Sequence, residues 1–296
     1  MRVLAIFGPT AVGKTGVAIE TAERLREGGE EPVAISCDAI QVYEGLEIIS
    51  GAASSAEQGR LEHRMLGFVA IDGEFSAGRF ASLVHAEIDQ LLAEQRRPIL
   101  VGGTGLYMRA AVAELDLRPP VPSQVRSAVE AEIDTRGPEA LHRELSDELA
   151  SGVHPNDRKR IARLTELSRM GIAAHPSSDQ LWSEAVRVPT TIVGITIDRD
   201  ELKRRIETRV DEMVHLGVEE EVRSADVAGA SRTARAAIGF DELLAGDVDA
   251  MKRAQWRYAR RQLTWMRKMS DVEQIDRTGL TDAEVADRIV ALLDRG

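Results

Sequence analysis

The stretch Gly8–Thr15, with the sequence GPTAVGKT, constrains the fold more than any other part of the chain. It follows an apolar run, Val3–Phe7, and precedes apolar residues at helical spacing from Val17 to Leu25. This order of strand, loop and helix, with the pattern G-x-x-x-x-G-K-[ST], is typical of a loop whose backbone N–H groups surround a phosphate. The helix that begins there adds the positive end of its dipole. The sequence therefore predicts a phosphate or diphosphate site, and the alternative is a glycine-rich turn without a ligand.

Several residues of this phosphate loop are candidate ligand contacts. Lys14 adds a positive charge, and Thr15 can offer its hydroxyl to a Mg²⁺ ion. The candidate phosphate contacts are Gly8, Thr10, Ala11, Val12, Gly13, Lys14 and Thr15. The loop alone does not identify the molecule that carries the phosphate.

Composition bounds the classes of protein to which the chain can belong. Its 296 residues, 43% of them hydrophobic, suit one large α/β domain or a domain with an insertion. A formal net charge of −11 argues against adhesion to nucleic acid over the whole surface, so any such site must be local. Cys37 is the single cysteine, which excludes an internal disulfide and a cysteine-based zinc module. The first apolar run starts almost at Met1, where a signal peptide would lie, and no apolar run approaches the ~20 residues of a membrane-spanning helix. We therefore expect a cytoplasmic protein without a membrane span. We also expect a monomer.

Two further strands end in polar residues that the phosphate loop could face. Pro32–Ser36 is a short apolar run followed closely by Asp38, and Pro98–Val101 is another, followed by a glycine-rich turn that holds Thr104. Ligands of open α/β sheets bind at the carboxyl ends of the strands. We therefore expect Asp38 and Thr104 on the same rim as the phosphate loop; the alternatives are a turn carboxylate and a turn hydroxyl.

The middle of the chain differs in amino-acid composition from both ends. A proline-rich connector, 118–122, is followed by charged, helix-like sequence, and β-branched strand character returns at Thr190–Ile197. We predict an α/β fold with a P-loop NTPase-like parallel sheet flanked by helices, formed by residues 1–117 and 188–296. Residues 118–187 are predicted to form a helical insertion.

Two basic clusters stand out against the acidic average. The first, Arg158–Arg163, lies in the predicted insertion. The second, Ala250–Ser270, holds seven Lys and Arg residues, no acidic residue, and Trp256, Tyr258 and Trp265. A solvated helix face can have this composition, but so can a surface that binds a phosphate backbone and unstacked bases.

Three motifs together resemble the tRNA dimethylallyltransferases. They are Gly8–Thr15, Ile35–Leu46 (ISCDAIQVYEGL) and Pro98–Tyr107 (PILVGGTGLY), and the segments Ala237–Phe240 and Tyr258–Trp265 resemble the closing motifs of that family. The resemblance implies that the loop holds the diphosphate of dimethylallyl diphosphate, with Mg²⁺ as cofactor. It also implies transfer of the dimethylallyl group to N6 of the adenosine next to the anticodon of tRNA.

The resemblance assigns roles to individual residues. Asp38 is the expected general base on the adenine amine, Thr104 a hydrogen-bonding group at the reacting centre, and Arg209 a contact of the leaving diphosphate. Arg205 lies one helical turn from Arg209 and could share that role. For Arg209 the alternative is a charge on a helix surface.

The resemblance also implies contacts with the anticodon stem-loop. The positions concerned are Asp38, Ala39, Ile40, Gln41, Arg126, Lys159, Arg160, Ile161, Ala162, Arg163, Arg260, Arg261, Gln262, Trp265 and Arg267.

Four departures from the family pattern occur, three of them near the second strand. Ala39 replaces a common serine, Ser50–Ser54 (SGAAS) replaces Gly-Thr-Ala-Lys-Pro, and Glu62–Arg64 replaces Pro-His-His. Ala236, where a polar residue is usual, weakens one expected tRNA contact.

Three rival functions remain open at this point. A P-loop phosphotransferase would generally carry an acidic metal ligand at the end of a further strand, whereas Ile99–Val101 ends in Gly102–Gly103. An adenylate dimethylallyltransferase acting on free nucleotide shares part of the motif pattern but needs neither the insertion nor the basic helix. A non-catalytic nucleotide-binding module would not need Asp38 and Thr104 on the rim.

Overall fold

The structure, a computed structural model, describes residues 1–115, 117–118, 121–172, 185–269 and 271–294. The chain forms two compact units, Met1–Leu115 with Trp182–Gly296, and Asp116–Leu181. Residues 173–184 of the predicted insertion lie outside the described residues, and so does Ser270 of the second basic cluster.

The described part of the first unit contains a six-stranded sheet in which every pair of neighbouring strands is parallel. Its strands are β1 (Val3–Phe7), β2 (Pro32–Ser36), β3 (His63–Arg64), β4 (Arg97–Gly102), β5 (Thr190–Thr196) and β6 (Val272–Asp276), in the spatial order β3-β2-β4-β1-β5-β6. The predicted α/β fold with a parallel sheet is confirmed. Since β2, β4 and β1 are neighbours, the loops after their carboxyl ends meet at one edge of the sheet.

Helices flank this sheet and complete the first unit. They are α1 (Lys14–Glu27), α2 (Glu47–Ser50), α3 (Ser55–Arg60), α4 (Ala77–Ala93) and α5 (Gly105–Val112), followed after the second unit by α10 (Arg199–His215), α11 (Val218–Val227), α12 (Phe240–Leu244), α13 (Val248–Lys268) and α14 (Asp282–Leu293). No helix in the described ranges is both long enough and apolar enough to cross a membrane.

The second unit is helical throughout its described part. Its helices are α6 (Ser123–Arg136), α7 (Pro138–His142), α8 (Asp147–Ser151) and α9 (Arg158–Arg169). Val129, Ile133, Leu141 and Ile161 are buried together and form a small core of their own. A separate core allows such a unit to fold as a body distinct from the sheet.

Continuous apolar runs explain the inner strands. All five residues of β1 and of β2 are buried, as expected for parallel strands covered by helices on both faces. In α4, Phe80, Val84, Ile88 and Leu91 recur at helical spacing and are buried along one face.

The sequence did not predict the strand at either edge of the sheet. The short β3 and the C-terminal β6 pair with β2 and β5, although their sequences, His63–Arg64 and Val272–Asp276, are largely polar. Edge strands are less buried and carry polar side chains, so they lack the apolar run that marks the inner strands. Only Ile275 of β6 is buried.

Candidate active site

The phosphate loop connects β1 to α1 in an unusual backbone conformation. Ala11 has a φ of 61° and Gly13 a φ of 92°, both in the left-handed region. Gly13 precedes the first residue of α1 and provides no side-chain cap, and α1 has no acidic residue in its first turn. The first N–H groups of this 14-residue helix are therefore not capped by a side chain, which is the arrangement that binds anions.

Most of the predicted phosphate contacts line one large cavity. Thr10, Ala11, Gly13, Lys14 and Thr15 line it, and its volume is about 1100 Å³. Gly8 and Val12 do not belong to the lining. Gly8 is buried beside Ile195, and the Val12 side chain packs in the core under α1.

Two cations meet in this cavity. Burial, and secondly the nearby positive charge of Arg209, lower the pKa of Lys14 to about 7. Lys14 Nζ donates a hydrogen bond to the Pro9 carbonyl at 2.9 Å. Burial also lowers the pKa of Arg209. Two positive charges that disfavour each other in a desolvated place make a strong site for an anion.

Arg209 lies next to Gly51, in the segment Ser50–Ser54 that departs from the family pattern. A Cβ atom at Gly51 would lie 1.6 Å from Nη2 of Arg209, so any side chain there would displace the guanidinium. Arg205 also lines the cavity, but its Nε and Nη2 donate to Glu201 at 3.0 and 2.8 Å. Within the described residues Arg209 forms no ion pair, and its charge is therefore available to a ligand.

Asp38, Thr104 and Tyr258 form a hydrogen-bonded chain that lines the same cavity. Asp38 Oδ1 accepts from the Ile40 N–H at 2.9 Å, which fixes the carboxylate. Thr104 Oγ1 donates to Asp38 Oδ2 at 3.3 Å and lies 3.0 Å from the Tyr258 hydroxyl. Thr104 precedes α5, yet its hydroxyl does not cap that helix. Asp38, which follows β2, and Thr104, which follows β4, therefore both face the cavity, as predicted from the strand ends.

Gln41 and Gln262, two of the predicted tRNA contacts, are held by the protein itself. Gln262 Oε1 accepts from the Thr10 N–H and its Nε2 donates to the Gly103 carbonyl, each at 2.8 Å. The buried amide therefore joins the phosphate loop to the turn after β4. Gln41 Oε1 accepts from Ser36 Oγ at 2.7 Å, while its Nε2 donates to the Gly51 carbonyl at 3.1 Å.

The remaining positions in the first unit lie on or near α13. Arg260, Arg261, Trp265 and Arg267 line a second concavity of about 520 Å³ that contains no acidic residue. Trp265 also covers the start of α5, because a Cβ at Gly105 would lie 2.3 Å from its ring. Ala39 and Ile40 line the main cavity, next to Asp38.

The positions in the second unit divide into exposed and internal ones. Lys159 and Arg160 are exposed on α9, whereas Ile161 and Ala162 are buried in the core of this unit. Their side chains therefore face away from solvent. Arg126 and Arg163 both lie within ion-pair distance of the buried carboxylate of Glu166, at 3.9 and 3.3 Å. Lys159 and Arg160 are thus the residues of this cluster that are most open to solvent.

Thr15 is the residue that fits a Mg²⁺ ion. Its side chain lines the cavity beside Lys14. The described residues contain no group of three or more His, Cys, Asp or Glu side chains that could hold a metal by themselves. Mg²⁺ bound to a phosphate usually takes only one or two protein ligands and keeps several waters, so a single threonine hydroxyl fits this mode.

Comparisons with known proteins decide the family. The family model described as IPP transferase matches residues 41–269. The tRNA dimethylallyltransferase of Streptomyces coelicolor is 36% identical over 281 residues, which are 90% of this chain and 88% of that protein. That of Natranaerobius thermophilus is 33% identical over 310 residues, 98% of this chain and 91% of the relative. The chain belongs to the IPP transferase family.

Solved structures agree with this membership. The full-length tRNA isopentenylpyrophosphate transferase of Bacillus halodurans is 31% identical with a TM-score of 0.69, and the match covers 99% of this chain and 97% of that one. A eukaryotic dimethylallyltransferase acting on tRNA shares the fold, with a TM-score of 0.78 at 22% identity. The predicted resemblance and the assignment as an enzyme, a tRNA dimethylallyltransferase, are confirmed, which removes the phosphotransferase and non-catalytic alternatives.

Sequence reasoning missed Tyr258 and Arg277 as parts of this IPP transferase site. Tyr258 belongs to the second basic cluster and to a segment that resembles a family motif, but neither observation predicts that α13 brings its hydroxyl to Thr104. Arg277, directly after β6, donates from Nη1 to the Val12 carbonyl of the phosphate loop at 2.7 Å. Neither contact has a local sequence signal, since each joins segments more than 150 residues apart.

Diphosphate binding is expected to take up a proton through Lys14. At pH 8 a lysine with a pKa of about 7 is mostly neutral, and an adjacent anion raises its pKa by favouring the charged form. Calorimetry with inorganic diphosphate, in buffers of different ionisation enthalpy, should show uptake approaching ~1 proton at pH 8 and less at pH 6. Lys14→Arg, which stays charged, should lack this uptake; equal uptake in both proteins would contradict the prediction.

Tyr258→Phe is expected to slow the transfer step about 3- to 10-fold, because Thr104 loses a hydrogen bond that orients its hydroxyl. Single-turnover rates at saturating substrates measure this effect. Tyr43→Phe is the matched control, since the Tyr43 hydroxyl also contacts a threonine, Thr233, at 2.6 Å. Thr104, by contrast, is the threonine that donates to Asp38. Equal slowing in both variants would show that Tyr258 has no particular influence on Thr104.

Proposed function

We propose that this enzyme transfers a dimethylallyl group from dimethylallyl diphosphate to N6 of the adenosine next to the anticodon of tRNA, with release of diphosphate. The observation that carries the proposal is one cavity that holds two cations and a carboxylate. Lys14 and Arg209, called here the cationic wall, line the same cavity as Asp38 with its Thr104 partner, called here the carboxylate wall. The names of the relatives support the same donor and acceptor.

The cationic wall is suited to the leaving group. As the bond between the allylic carbon and the diphosphate oxygen breaks, its electron pair moves to the diphosphate, and negative charge grows there. Lys14, Arg209 and the first N–H groups of α1 stabilise that charge from fixed positions, which lowers the barrier more than groups that must reorient. Mg²⁺, held through the Thr15 hydroxyl, would neutralise part of the same charge.

The carboxylate wall is suited to the nucleophile. The exocyclic amine of adenine is a weak base, so a positioned acceptor for its proton is needed as the new carbon–nitrogen bond forms. Asp38 Oδ2 faces Thr104, and Asp38 Oδ1 is fixed by the Ile40 N–H. We infer that Asp38 takes the N6 proton and that Thr104 orients the reacting groups.

The cavity is large enough for both substrates. Ligand pockets typically have volumes of ~300–1,000 Å³. The cavity here, at about 1100 Å³, also has apolar lining from Ile40, Phe75 and Tyr107. An adenine that has left its stack and a dimethylallyl chain can therefore occupy it together.

We expect local clusters of positive charge to bind the anticodon stem-loop, although the net charge of the protein is negative. Arg260, Arg261 and Arg267 on α13 are exposed, and so are Lys159 and Arg160 on α9. Basic side chains next to aromatic ones suit a phosphate backbone and splayed bases. A tRNA substrate would place the enzyme in the cytoplasm, and action as a monomer stays a prediction.

Asp38→Asn is expected to lower the single-turnover transfer rate by about 10² to 10⁴, because an amide of the same size cannot accept the proton. The assay uses purified enzyme, labelled dimethylallyl diphosphate and tRNA, with AMP as a second acceptor. Diphosphate should still bind to the variant, because Lys14 and Arg209 are both present. Near-normal transfer by the variant would remove Asp38 from the mechanism, and transfer to AMP rather than tRNA would favour the adenylate enzyme.

Arg260→Gln and Arg160→Gln are each expected to weaken tRNA binding and to reduce the slope of log affinity against log salt by about one. Filter binding over a salt series measures both quantities. Arg288→Gln on α14 and Arg143→Gln after α7 are controls, since both arginines are exposed and lie outside the basic clusters. Equal losses in the controls would show that the attraction is diffuse.

A further inference from the structure

The side chain of Arg277 lies buried behind the phosphate loop, although it belongs to the C-terminal segment after β6. It is only 4% exposed. Its Nη1 donates to the Val12 carbonyl at 2.7 Å, and its Nη2 donates to the Leu280 carbonyl at 3.3 Å and forms an ion pair with Asp282 Oδ1 at 2.9 Å. A buried guanidinium thus links the backbone of the loop to a carboxylate in the first turn of α14.

Two glycines near the phosphate loop leave space for the side chains of Arg277 and Asp282. A Cβ at Gly13 would lie 2.2 Å from Arg277 Nη1, and a Cβ at Gly16 would lie 2.0 Å from Asp282 Oδ2. Gly16 lies in the first turn of α1, where the phosphate-loop pattern does not require glycine and where alanine would favour the helix by about 1 kcal/mol. Its presence is explained by the close approach of Asp282.

The hydrogen bond to Val12 determines which way the neighbouring amide points. In a trans peptide the carbonyl of one residue and the N–H of the next point in opposite directions. Arg277 draws the Val12 carbonyl to the core side of the loop, so the Gly13 N–H is directed to the other side, where Gly13 lines the cavity. Ala11 holds a left-handed conformation that costs a non-glycine residue about 1–3 kcal/mol, so the loop needs support from outside itself.

Stability alone is a weak explanation for this contact. The Asp282 side chain is 38% exposed, and ion pairs that are open to solvent contribute little to stability. In addition, Nε of Arg277 is buried without a hydrogen-bond partner in the described residues, which costs stability.

We propose that Arg277 and Asp282 are positioning residues, which hold the Val12 carbonyl so that the phosphate loop keeps its diphosphate-binding conformation before the ligand arrives. The proposal rests on the proposed function for the identity of the ligand. A loop that is preorganised binds its ligand more tightly because less conformational freedom is lost on binding. The pair makes no contact with the acceptor side of the cavity around Asp38, so its effect should be confined to the donor.

Arg277→Met and Arg277→Lys test the proposal in the full-length enzyme. Inorganic diphosphate with Mg²⁺ is titrated into each protein by calorimetry, and KM is measured separately for dimethylallyl diphosphate and for tRNA. We expect the Kd for diphosphate and the KM for the donor to rise about tenfold, equivalent to about 1.4 kcal/mol, in Arg277→Met. Arg277→Lys should restore part of this loss, and the KM for tRNA should stay within about twofold in both.

The pair Arg24–Asp287 provides a matched control. It also joins α1 to α14, but Arg24 lies in the last turn of α1, at the end away from the phosphate loop. Arg24→Met should lower the thermal midpoint without changing the Kd for diphosphate. If Arg277→Met does not fold, Asp282→Ala carries the same test, and Asp282→Asn should restore only part of the loss because it keeps an oxygen near Arg277 but removes the charge.

The outcomes separate this proposal from the proposed function. A Kd for diphosphate within about twofold of the wild-type value in Arg277→Met, or an equal rise in Arg24→Met, would overturn the positioning role and leave the proposed function intact. Wild-type enzyme that binds no diphosphate would contradict both. An equal rise in the KM for donor and tRNA would show a general loss of structure and would also overturn the positioning role.

Discussion

The shape of the phosphate loop depends on hydrogen bonds from segments far away in the sequence. Gln262 of α13 accepts from the Thr10 N–H, and Arg277 after β6 donates to the Val12 carbonyl. The loop between these contacts contains a left-handed alanine at position 11, which an isolated loop would rarely hold. The site is therefore complete only when α13 and the segment after β6 have folded against the phosphate loop.

The cavity holds two positively charged side chains, although the protein as a whole is acidic. The chain carries a formal net charge of −11, yet Lys14 and Arg209 are placed together at the carboxyl ends of the strands. Desolvation makes this arrangement unfavourable until an anion enters, and it makes each cation interact more strongly with that anion. The same contrast occurs on α13, where exposed arginines form a basic surface on an acidic protein.

The sequence was sufficient for those features that follow from local pattern, and insufficient for those that depend on distant contacts. Val3–Phe7 and Pro32–Ser36 are strands as predicted because buried parallel strands need continuous apolar runs. The polar edge strand β6 has no such run, so Arg277 at its end could not be placed next to the loop. Similarly, the sequence does not indicate that a Cβ at Gly102 would overlap Cys37, or that a Cβ at Gly103 would overlap Gln262.

The divergent segment 47–54 shows why a changed motif need not change the chemistry. Gln41 donates to the carbonyls of Ser50 and Gly51, and Glu221 accepts from the N–H groups of Ile48 and Ile49 at 2.8 Å each. These bonds use backbone groups, which every sequence provides. The side chain that matters is the missing one at Gly51, since it leaves room for Arg209. Substitution around this glycine is therefore tolerated as long as the backbone path, and with it the position of the guanidinium at the cavity, is preserved.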